Sequence, residues 1–273
     1  MKKRACLVIV LFALQVASAE EPYRTSSAAF KRSPEHALLV RKISRMLDTS
    51  LVEGILGDPR CVIDSSIITH MRRKRGTGDG YAYLFTDSSV TDGKRFLETH
   101  RALLDSLEST FGIPRTVLVA VYRAETDFGR YLGKHSALTA LYTGYFMMKT
   151  ERKRKEELLQ LAVFLELARD GIVDTFGTPS SYRGAFGCTQ FRPASYVLAV
   201  DWDRDGRANL FSEADALASA ANYLKCRGYG AYNGNRYQSA VLRYARVIGD
   251  SANTAPKVFY PEPFTRSTFY APP

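Results

Sequence analysis

Residues 114–129 read Pro-Arg-Thr-Val-Leu-Val-Ala-Val-Tyr-Arg-Ala-Glu-Thr-Asp-Phe-Gly, and the rest of the chain can be interpreted around them. Proline favours the first turn of a helix and glycine favours the turn that ends one, so a helix is predicted between Pro114 and Gly129. Apolar side chains recur at helical spacing along this stretch. Glu125 comes seven residues after Leu118 and therefore falls on the same apolar stripe.

Glu125 is a candidate general acid because of this position. A carboxylate is rarely buried without a reason, and an apolar setting raises its pKa by disfavouring the charged form. A general acid needs a pKa near neutral pH. The alternative is an ordinary helix-end Glu that faces solvent or pairs with an arginine.

The N-terminus has the composition of a secretory signal. Three basic residues at 2–4 precede an apolar run over residues 5–14, and Ala17-Ser18-Ala19 supplies the small residues of a cleavage site. We therefore predict a signal peptide over residues 1–19 and a mature protein that is soluble, in the periplasm or secreted. No transmembrane segment is expected, because no later stretch approaches the ~18 apolar residues that one needs.

The charge balance favours an acidic partner outside the cytoplasm. The whole chain carries a formal net charge of +10, and removal of residues 1–19 would leave +7 on 254 residues. A basic exported protein is expected to meet cell-wall polymer or a membrane surface. Export argues against nucleic acid, so the basic runs at 72–75 and 149–155 are interpreted as solvated helix faces.

The cysteines and histidines exclude little except zinc chemistry. Cys61, Cys188 and Cys226 remain after cleavage, which permits one disulfide and one free thiol in an oxidising compartment. A bond between Cys188 and Cys226 is one option that the sequence leaves open. The four histidines show no zinc-ligand spacing, and no organic cofactor is expected.

The periodicity predicts a mainly α protein with little β structure. We expect a helical region over residues 20–90, a core over 91–250, a proline-rich tail over 251–273, and a monomer. Seven predicted helices have both ends marked, at residues 33–47, 61–71, 115–128, 137–148, 151–169, 215–227 and 237–247. One further helix is predicted to start at Thr91 or Asp92 and to end near residue 112. A short helix is predicted to start at Pro193.

Residues 201–207 read Asp-Trp-Asp-Arg-Asp-Gly-Arg, the start of an EF-hand-like calcium loop. Alternate carboxylates can converge on one hard cation, the glycine allows a sharp turn, and the seventh position donates a backbone carbonyl. Ser212 stands where the usual bidentate Glu would be, and Asp215 could close a longer loop. The alternative is an acidic surface turn.

Three stretches in one order resemble the membrane-bound lytic transglycosylase B family, which is glycoside hydrolase family 103. The first is Ala-Glu-Thr-Asp-Phe-Gly at 124–129, and the second is Gly-Ala-Phe-Gly-Cys-Thr-Gln-Phe-Arg-Pro-Ala-Ser-Tyr at 184–196. The third is the cation loop with its following helix, 200–226. Together the likeness covers about residues 90–245.

The resemblance implies a lysozyme-like helical core with a substrate cleft that binds peptidoglycan glycan strands. It implies that Glu125 is the catalytic residue and that Ser181 and Gln190 are polar cleft residues. Tyr223 and Tyr244 match aromatic cleft positions. The cation loop over 201–215 would hold a structural Ca²⁺ ion, and the implied ligands are Asp201, Asp203, Asp205, Asp215 and the carbonyl of Arg207.

Within residues 114–129, only the carboxylate of Glu125 is expected to face the glycosidic bond. Ordinary glycosidases need two carboxyl groups, ~5–9.5 Å apart. Asp127 would point to the opposite side of the helix. A single acid/base that forms a 1,6-anhydromuramic acid product is therefore the hypothesis. The alternatives are a hydrolytic muramidase on the same fold and a non-catalytic peptidoglycan-binding protein.

Overall fold

The structure, a computed structural model, describes residues 27–72, 80–229 and 234–249. The predicted signal peptide and the proline-rich tail lie outside the described residues. The prediction of a mainly α protein with little β structure is confirmed. The described elements are α1 (Ser27–Phe30), α2 (Pro34–Ile43), α3 (Thr49–Gly57), α4 (Ser65–Arg72), a 3₁₀ segment (Ala82–Phe85), α5 (Asp87–Thr99), α6 (Arg101–Phe111), α7 (Arg115–Thr126), β1 (His135–Ser136), α8 (Ala137–Met147), α9 (Glu151–Arg169), β2 (Pro179–Ser180), a second 3₁₀ segment (Pro193–Leu198), α10 (Glu213–Arg227) and α11 (Gly234–Ile248).

Helix ends depart from the prediction where side-chain caps intervene. The helix predicted over 33–47 stops at Ile43, and α3, which was not predicted, follows because the Asp48 carboxylate caps the backbone N–H of Leu51. Thr86 caps α5 five residues before the predicted start. Within the described residues, no helix has the length and apolar character that a membrane span requires.

The chain divides into two compact units. Among the described residues, the first unit contains residues 27–72, 135–178 and 182–184. Its central helix is α8, on which every residue from Ala137 to Tyr145 is buried. Helices α4 and α9 pack against α8, and α9 also packs against α2. Residues 135–178 therefore group with the N-terminal helices, whereas the sequence placed them in the core that begins at 91.

The second unit contains the described residues 80–134, 179–181, 185–229 and 234–249. Its central helix is α7, which packs against α5, α6, α10 and α11. Every residue from Thr116 to Tyr122 is buried, so the first two turns of α7 are enclosed on all sides. This enclosure fixes the position of Glu125 in the last turn of the same helix.

The three cysteines of the predicted mature chain are all free in the structure. Cys188 is buried in the second unit, where its Sγ lies 3.6 Å from the carbonyl oxygen of Phe211. The Sγ of Cys226 lies 3.7 Å from Oδ1 of Asn222. Hence the disulfide that the sequence permitted is not formed.

Candidate active site

Glu125 lies on the last turn of α7, where the residue is partly buried and partly open to solvent. Desolvation raises the pKa of this carboxyl to about 7, and a hydrogen bond from the hydroxyl of Tyr237 acts in the opposite direction. Tyr237 is supplied by α11, which packs on α7. A carboxyl group with this pKa is partly protonated at neutral pH, so it can either donate or accept a proton.

Among the described residues, no arginine forms an ion pair with Glu125. Arg123, two residues earlier, is directed elsewhere: its Nη1 lies 3.2 Å from Oδ1 of Asp127 and its Nε donates to Oγ of Ser89 at 3.0 Å. The ordinary interpretation of Glu125, a helix-end carboxylate held by an arginine, therefore does not describe its surroundings.

Asp127 is a surface acid bound by two arginines. Its backbone is left-handed, with φ of 53°, because it ends α7 instead of continuing it. Its Oδ1 lies 3.2 Å from Arg123 and 3.4 Å from Arg130. These ion pairs fix the position of the Asp127 side chain at the helix end.

Two further tyrosines lie near Glu125. Partial burial, and after it the negative charge of Glu125, raise the pKa of Tyr83 to about 12, and its hydroxyl donates to the carbonyl of Ala124 at 3.0 Å. The pKa of Tyr223 is also raised, first by burial and to a smaller extent by Glu125. Tyr223 was predicted as a cleft residue, whereas Tyr83 and Tyr237 were not. With 16 tyrosines in the chain, no sequence signal marked these two.

Tyr244 occupies the core of the second unit. Its side chain has no exposed surface, and its hydroxyl donates to the backbone carbonyl of Ser89. The predicted aromatic contact with substrate needs an exposed ring face, which this residue does not offer in the structure. Ser89 also accepts the hydrogen bond from Arg123. Tyr244 therefore helps to hold the C-terminal turn of α7 in place.

Gln190 lies in a tight hairpin that closes between Phe186 and Phe191. These two residues exchange backbone hydrogen bonds of 2.9 Å in both directions. Gln190 has a left-handed backbone, with φ of 53°, which is uncommon for a residue with a side chain. Its Nε2 donates to the carbonyls of Leu132 at 3.3 Å and Gly187 at 3.1 Å. These two bonds fix the orientation of the amide.

Ser181 stands just before this hairpin. Its backbone N–H donates to the carbonyl of Ala185 at 2.8 Å, and its Oγ accepts from the N–H of Ala185 at 3.2 Å. The hydroxyl is partly exposed. Ser181 thus both closes a turn and presents a polar atom.

The hairpin is fastened to the end of α7. Thr126, next to Glu125, is buried and donates its hydroxyl to the carbonyl of Cys188 at 2.6 Å. On the other side the backbone at Gly187 passes so close to Leu210 that an added Cβ would lie 2.7 Å from the Leu210 carbonyl oxygen. The Glu125 and Gln190 segments are therefore held in one rigid arrangement.

The loop after the second 3₁₀ segment brings three of the predicted cation ligands together. Carboxylate oxygens of Asp201, Asp203 and Asp215 all lie within 4.8 Å of one another. Asp215 is fully buried at the start of α10, where its two oxygens accept the backbone N–H groups of Trp202 and Asn209, both at 2.8 Å. This donor set suits a hard divalent cation.

The two other predicted ligands lie on the exposed part of the loop. Oδ1 of Asp205 accepts the backbone N–H of Arg207 at 2.9 Å, and Asp205 is outside the convergent group of three. The pKa of Asp203 is raised: a backbone hydrogen bond from Asp205 lowers it, but desolvation and the neighbouring carboxylates outweigh that bond. A cation between the carboxylates would relieve this repulsion.

A family model described as the transglycosylase SLT domain matches residues 43–251. The chain belongs to this family. The membership confirms the resemblance inferred from three motifs. The matched region holds Glu125, the Gln190 hairpin and the acidic loop, and it begins earlier than those motifs, inside the first unit.

Named relatives agree with this assignment. The chain is 35% identical over 145 residues to the membrane-bound lytic murein transglycosylase B of Escherichia coli strain K12, which covers 53% of this chain and 40% of that relative. It therefore spans less than half the length of that curated relative.

Solved structures show the same fold. The soluble lytic transglycosylase SltB1 from Pseudomonas aeruginosa has a TM-score of 0.64 at 29% identity, over 72% of this chain and 67% of that one. The Escherichia coli lytic transglycosylase Slt35 in complex with calcium has a TM-score of 0.63 at 27% identity, over 76% and 67%. The predicted class of fold is thereby confirmed.

Proposed function

We propose that this member of the SLT family is an exported peptidoglycan lytic transglycosylase. It would cleave the β-1,4 bond between N-acetylmuramic acid and N-acetylglucosamine. The observation that carries the proposal is the Glu125 carboxyl, whose pKa burial raises to about 7 in a site lined by tyrosine hydroxyls. Relatives named as lytic transglycosylases support the class of reaction.

Glu125 would act twice in the reaction. As an acid it protonates the glycosidic oxygen, which leaves as the hydroxyl of N-acetylglucosamine while the muramic acid carbon gains oxocarbenium character. The 2-acetamido group of the same sugar stabilises that carbon. Glu125, now a base, takes the proton from the 6-hydroxyl, whose oxygen closes the 1,6-anhydro ring. Proton and bond counts balance without water.

The part of the chain that the structure describes offers no second carboxylate to act with Glu125, which favours this route over a hydrolytic muramidase. Among the described residues, no other acid contributes to the pKa of Glu125, and Asp127 is held by its arginines. Hydrolysis would require a second carboxylate or an equivalent group to activate water. A lone acid/base is sufficient when the nucleophile is the substrate's own hydroxyl.

Neighbouring residues would bind and orient the glycan strand. The held amide of Gln190 offers Oε1 to a sugar hydroxyl or acetamido N–H, and Ser181 offers a hydroxyl. Tyr223, partly buried beside Phe191, would cover an apolar sugar face. The tethers at Thr126 and Gly187 keep these groups in place, which is how a preorganised site lowers the cost of reaching the transition state.

The acidic loop would hold a structural Ca²⁺ ion. Asp201, Asp203 and Asp215 supply the convergent oxygens, and we assign the remaining positions to Asp205 and the carbonyl of Arg207. The calcium complex of Slt35 supports this choice of ion. The ion would brace the start of α10, which carries Tyr223, and takes no part in bond cleavage.

The biological setting follows from the N-terminus and the charge. The basic and apolar residues at 1–19 would direct export, and the protein would act in the periplasm or outside the cell as a soluble monomer on glycan strands. No nucleic-acid partner and no organic cofactor are proposed.

Product analysis tests the reaction. Digestion of purified sacculi is expected to release muropeptides with 1,6-anhydro ends, each about 18 Da lighter by mass spectrometry than the hydrolysed form, because hydrolysis adds one water that ring closure does not. Muropeptides with only reducing ends would instead establish a hydrolytic muramidase. Sacculus binding without release of any muropeptide would establish a binding protein.

The hydroxyl of Tyr237 is expected to lower the pKa of the Glu125 carboxyl group. Because its hydrogen bond lowers the pKa of Glu125, Tyr237→Phe should raise that pKa above about 7. The protonated form then persists to higher pH, so the alkaline limb of the kcat/KM profile should move upward. Tyr229→Phe, a buried tyrosine of the same unit, serves as the control. An alkaline limb that stays or moves down in Tyr237→Phe would contradict this role.

A further inference from the structure

The first unit contains a cavity of about 530 Å³ between α2 and the start of α3. One stripe of α2 forms one wall, and the exposed residues Thr49 and Glu53 of α3 form the other, so the cavity is open to solvent. A volume of this size falls in the range of small-ligand sites, roughly 300–1,000 Å³. All lining residues belong to the first unit, and none of them belongs to the Glu125 site.

A buried serine hydroxyl and a histidine ring lie in the wall of this cavity. The Oγ of Ser44 is buried without a hydrogen bond. His36 is only 6% exposed, and its Nδ1 is bonded to the hydroxyl of Tyr142 at 2.8 Å. Its Nε2 has no partner among the described residues. Buried polar atoms are nearly always satisfied, so the unsatisfied Ser44 hydroxyl beside a cavity indicates a ligand.

The imidazole is suited to a neutral hydrogen bond. Burial lowers the pKa of His36, and the charge of Lys31 lowers it further. The ring is therefore uncharged at neutral pH, and it can exchange a hydrogen bond with a ligand without adding a charge to the cavity.

The cavity is lined by a positive side chain, Arg41, and a negative one, Glu53, that do not pair with each other. Arg41 and Glu53 form no ion pair with each other or with another described residue, whereas the adjacent Lys42 reaches Glu151 at 4.0 Å. A guanidinium presents a fork that matches a carboxylate, and a carboxylate accepts the donors of an ammonium group. The cavity thus offers one site for each sign of charge.

We propose that this cavity binds the zwitterionic free end of an amino acid or short peptide. The ligand's carboxylate lies against Arg41 and its ammonium group against Glu53. The Ser44 hydroxyl and Nε2 of His36 bind the polar atoms between them. The site is separate from the cleavage chemistry, so the chain carries a second recognition function.

Calorimetric titration of the full chain with alanyl-alanine tests the ligand. The dipeptide is expected to bind one site at pH 7. Its N-acetyl and C-amide derivatives should each bind about tenfold more weakly or less, the size of a lost charge-assisted hydrogen bond. Failure of the dipeptide to bind at about 10 mM, a concentration well above a millimolar Kd, would overturn the proposal.

Charge variants test the residue assignment. Arg41→Gln should weaken dipeptide binding about tenfold and should also bind the free acid and the C-amide equally. Glu53→Gln should lose discrimination against the N-acetyl form in the same way. Arg45→Gln removes a neighbouring exposed charge outside the cavity and should bind like the wild type. Unchanged discrimination in both cavity variants would refute the assignment, even if affinity falls.

Two arms identify the source of the peptide end. Glu125→Gln protein is incubated with peptide-bearing sacculi and with sacculi stripped of peptides by an amidase. Greater retention on the peptide-bearing wall, competed by alanyl-alanine, assigns the ligand to wall peptides. Equal retention together with dipeptide binding assigns it to free peptides. Neither arm requires cleavage, so a failure of the proposed enzyme activity would leave this test intact.

Discussion

Glu125→Gln is expected to reduce muropeptide release by about 10³-fold or more, near the upper part of the range for general acid–base catalysis. Glutamine keeps the shape of the side chain and can still accept the Tyr237 hydrogen bond. It cannot protonate the glycosidic oxygen, nor take a proton from the 6-hydroxyl. Because one carboxyl group serves both steps, its loss should not be compensated by a second acid. Sacculus digestion followed by quantification of soluble muropeptides measures the effect.

Asp127→Asn is the matched control for this substitution. It removes a carboxylate two residues away that is 38% exposed and paired with arginines. Activity should stay within about twofold of wild type, as for most surface substitutions. If Asp127→Asn were as inactive as Glu125→Gln, a two-carboxylate mechanism would replace the single-acid one. A fully active Glu125→Gln would refute the choice of catalytic residue.

Asp215→Ala is expected to destabilise the second unit and to abolish stabilisation by calcium. The buried carboxylate satisfies two backbone N–H groups, and each would be left unpaired at a cost of about 1–3 kcal/mol. The free energy of unfolding should therefore fall by about 2–6 kcal/mol even without calcium. Calcium, which raises the Tm of the wild type in our proposal, should no longer do so. Thermal melts with calcium and with a chelator separate the two effects.

Asp205→Ala distinguishes ion binding from structural support. Asp205 is exposed, so its removal should cost little stability in the chelator. It should nevertheless diminish the rise in Tm with calcium, if Asp205 is a ligand. A wild-type melting temperature for Asp215→Ala in chelator would contradict the structural role of that carboxylate. An undiminished calcium response in both variants would place the ion elsewhere.

Sequence patterns over a few consecutive residues were sufficient to predict the helices and the loop whose defining residues are close together in the chain. Helix α9 begins and ends where its amphipathic pattern does, and α7 places Glu125 on the apolar stripe as expected. The acidic loop was visible because its ligands are close in sequence. Helix α3 was missed, since two glycines weaken its helical signal and only the Asp48 cap marks its start.

Contacts between distant parts of the chain could not be predicted. Tyr237 and Tyr83 approach Glu125 from opposite sides of it in sequence, and only the packing of α11 and the first 3₁₀ segment brings them there. Tyr244 matched a family position, yet its ring is enclosed by the packing of α11 on α5. Each of these outcomes depends on tertiary packing rather than on residue spacing.

The discontinuous first unit has a consequence for synthesis of the chain. Helices α2, α3 and α4 are made first, but the central helix α8 and its neighbour α9 follow only after residues 80–134. Until α8 and α9 emerge, the apolar faces of α2 and α4 that pack on them lack those partners and remain open to aggregation or to a chaperone. We therefore expect translation halted near residue 130 to leave residues 27–72 sensitive to protease, and translation past residue 178 to protect them.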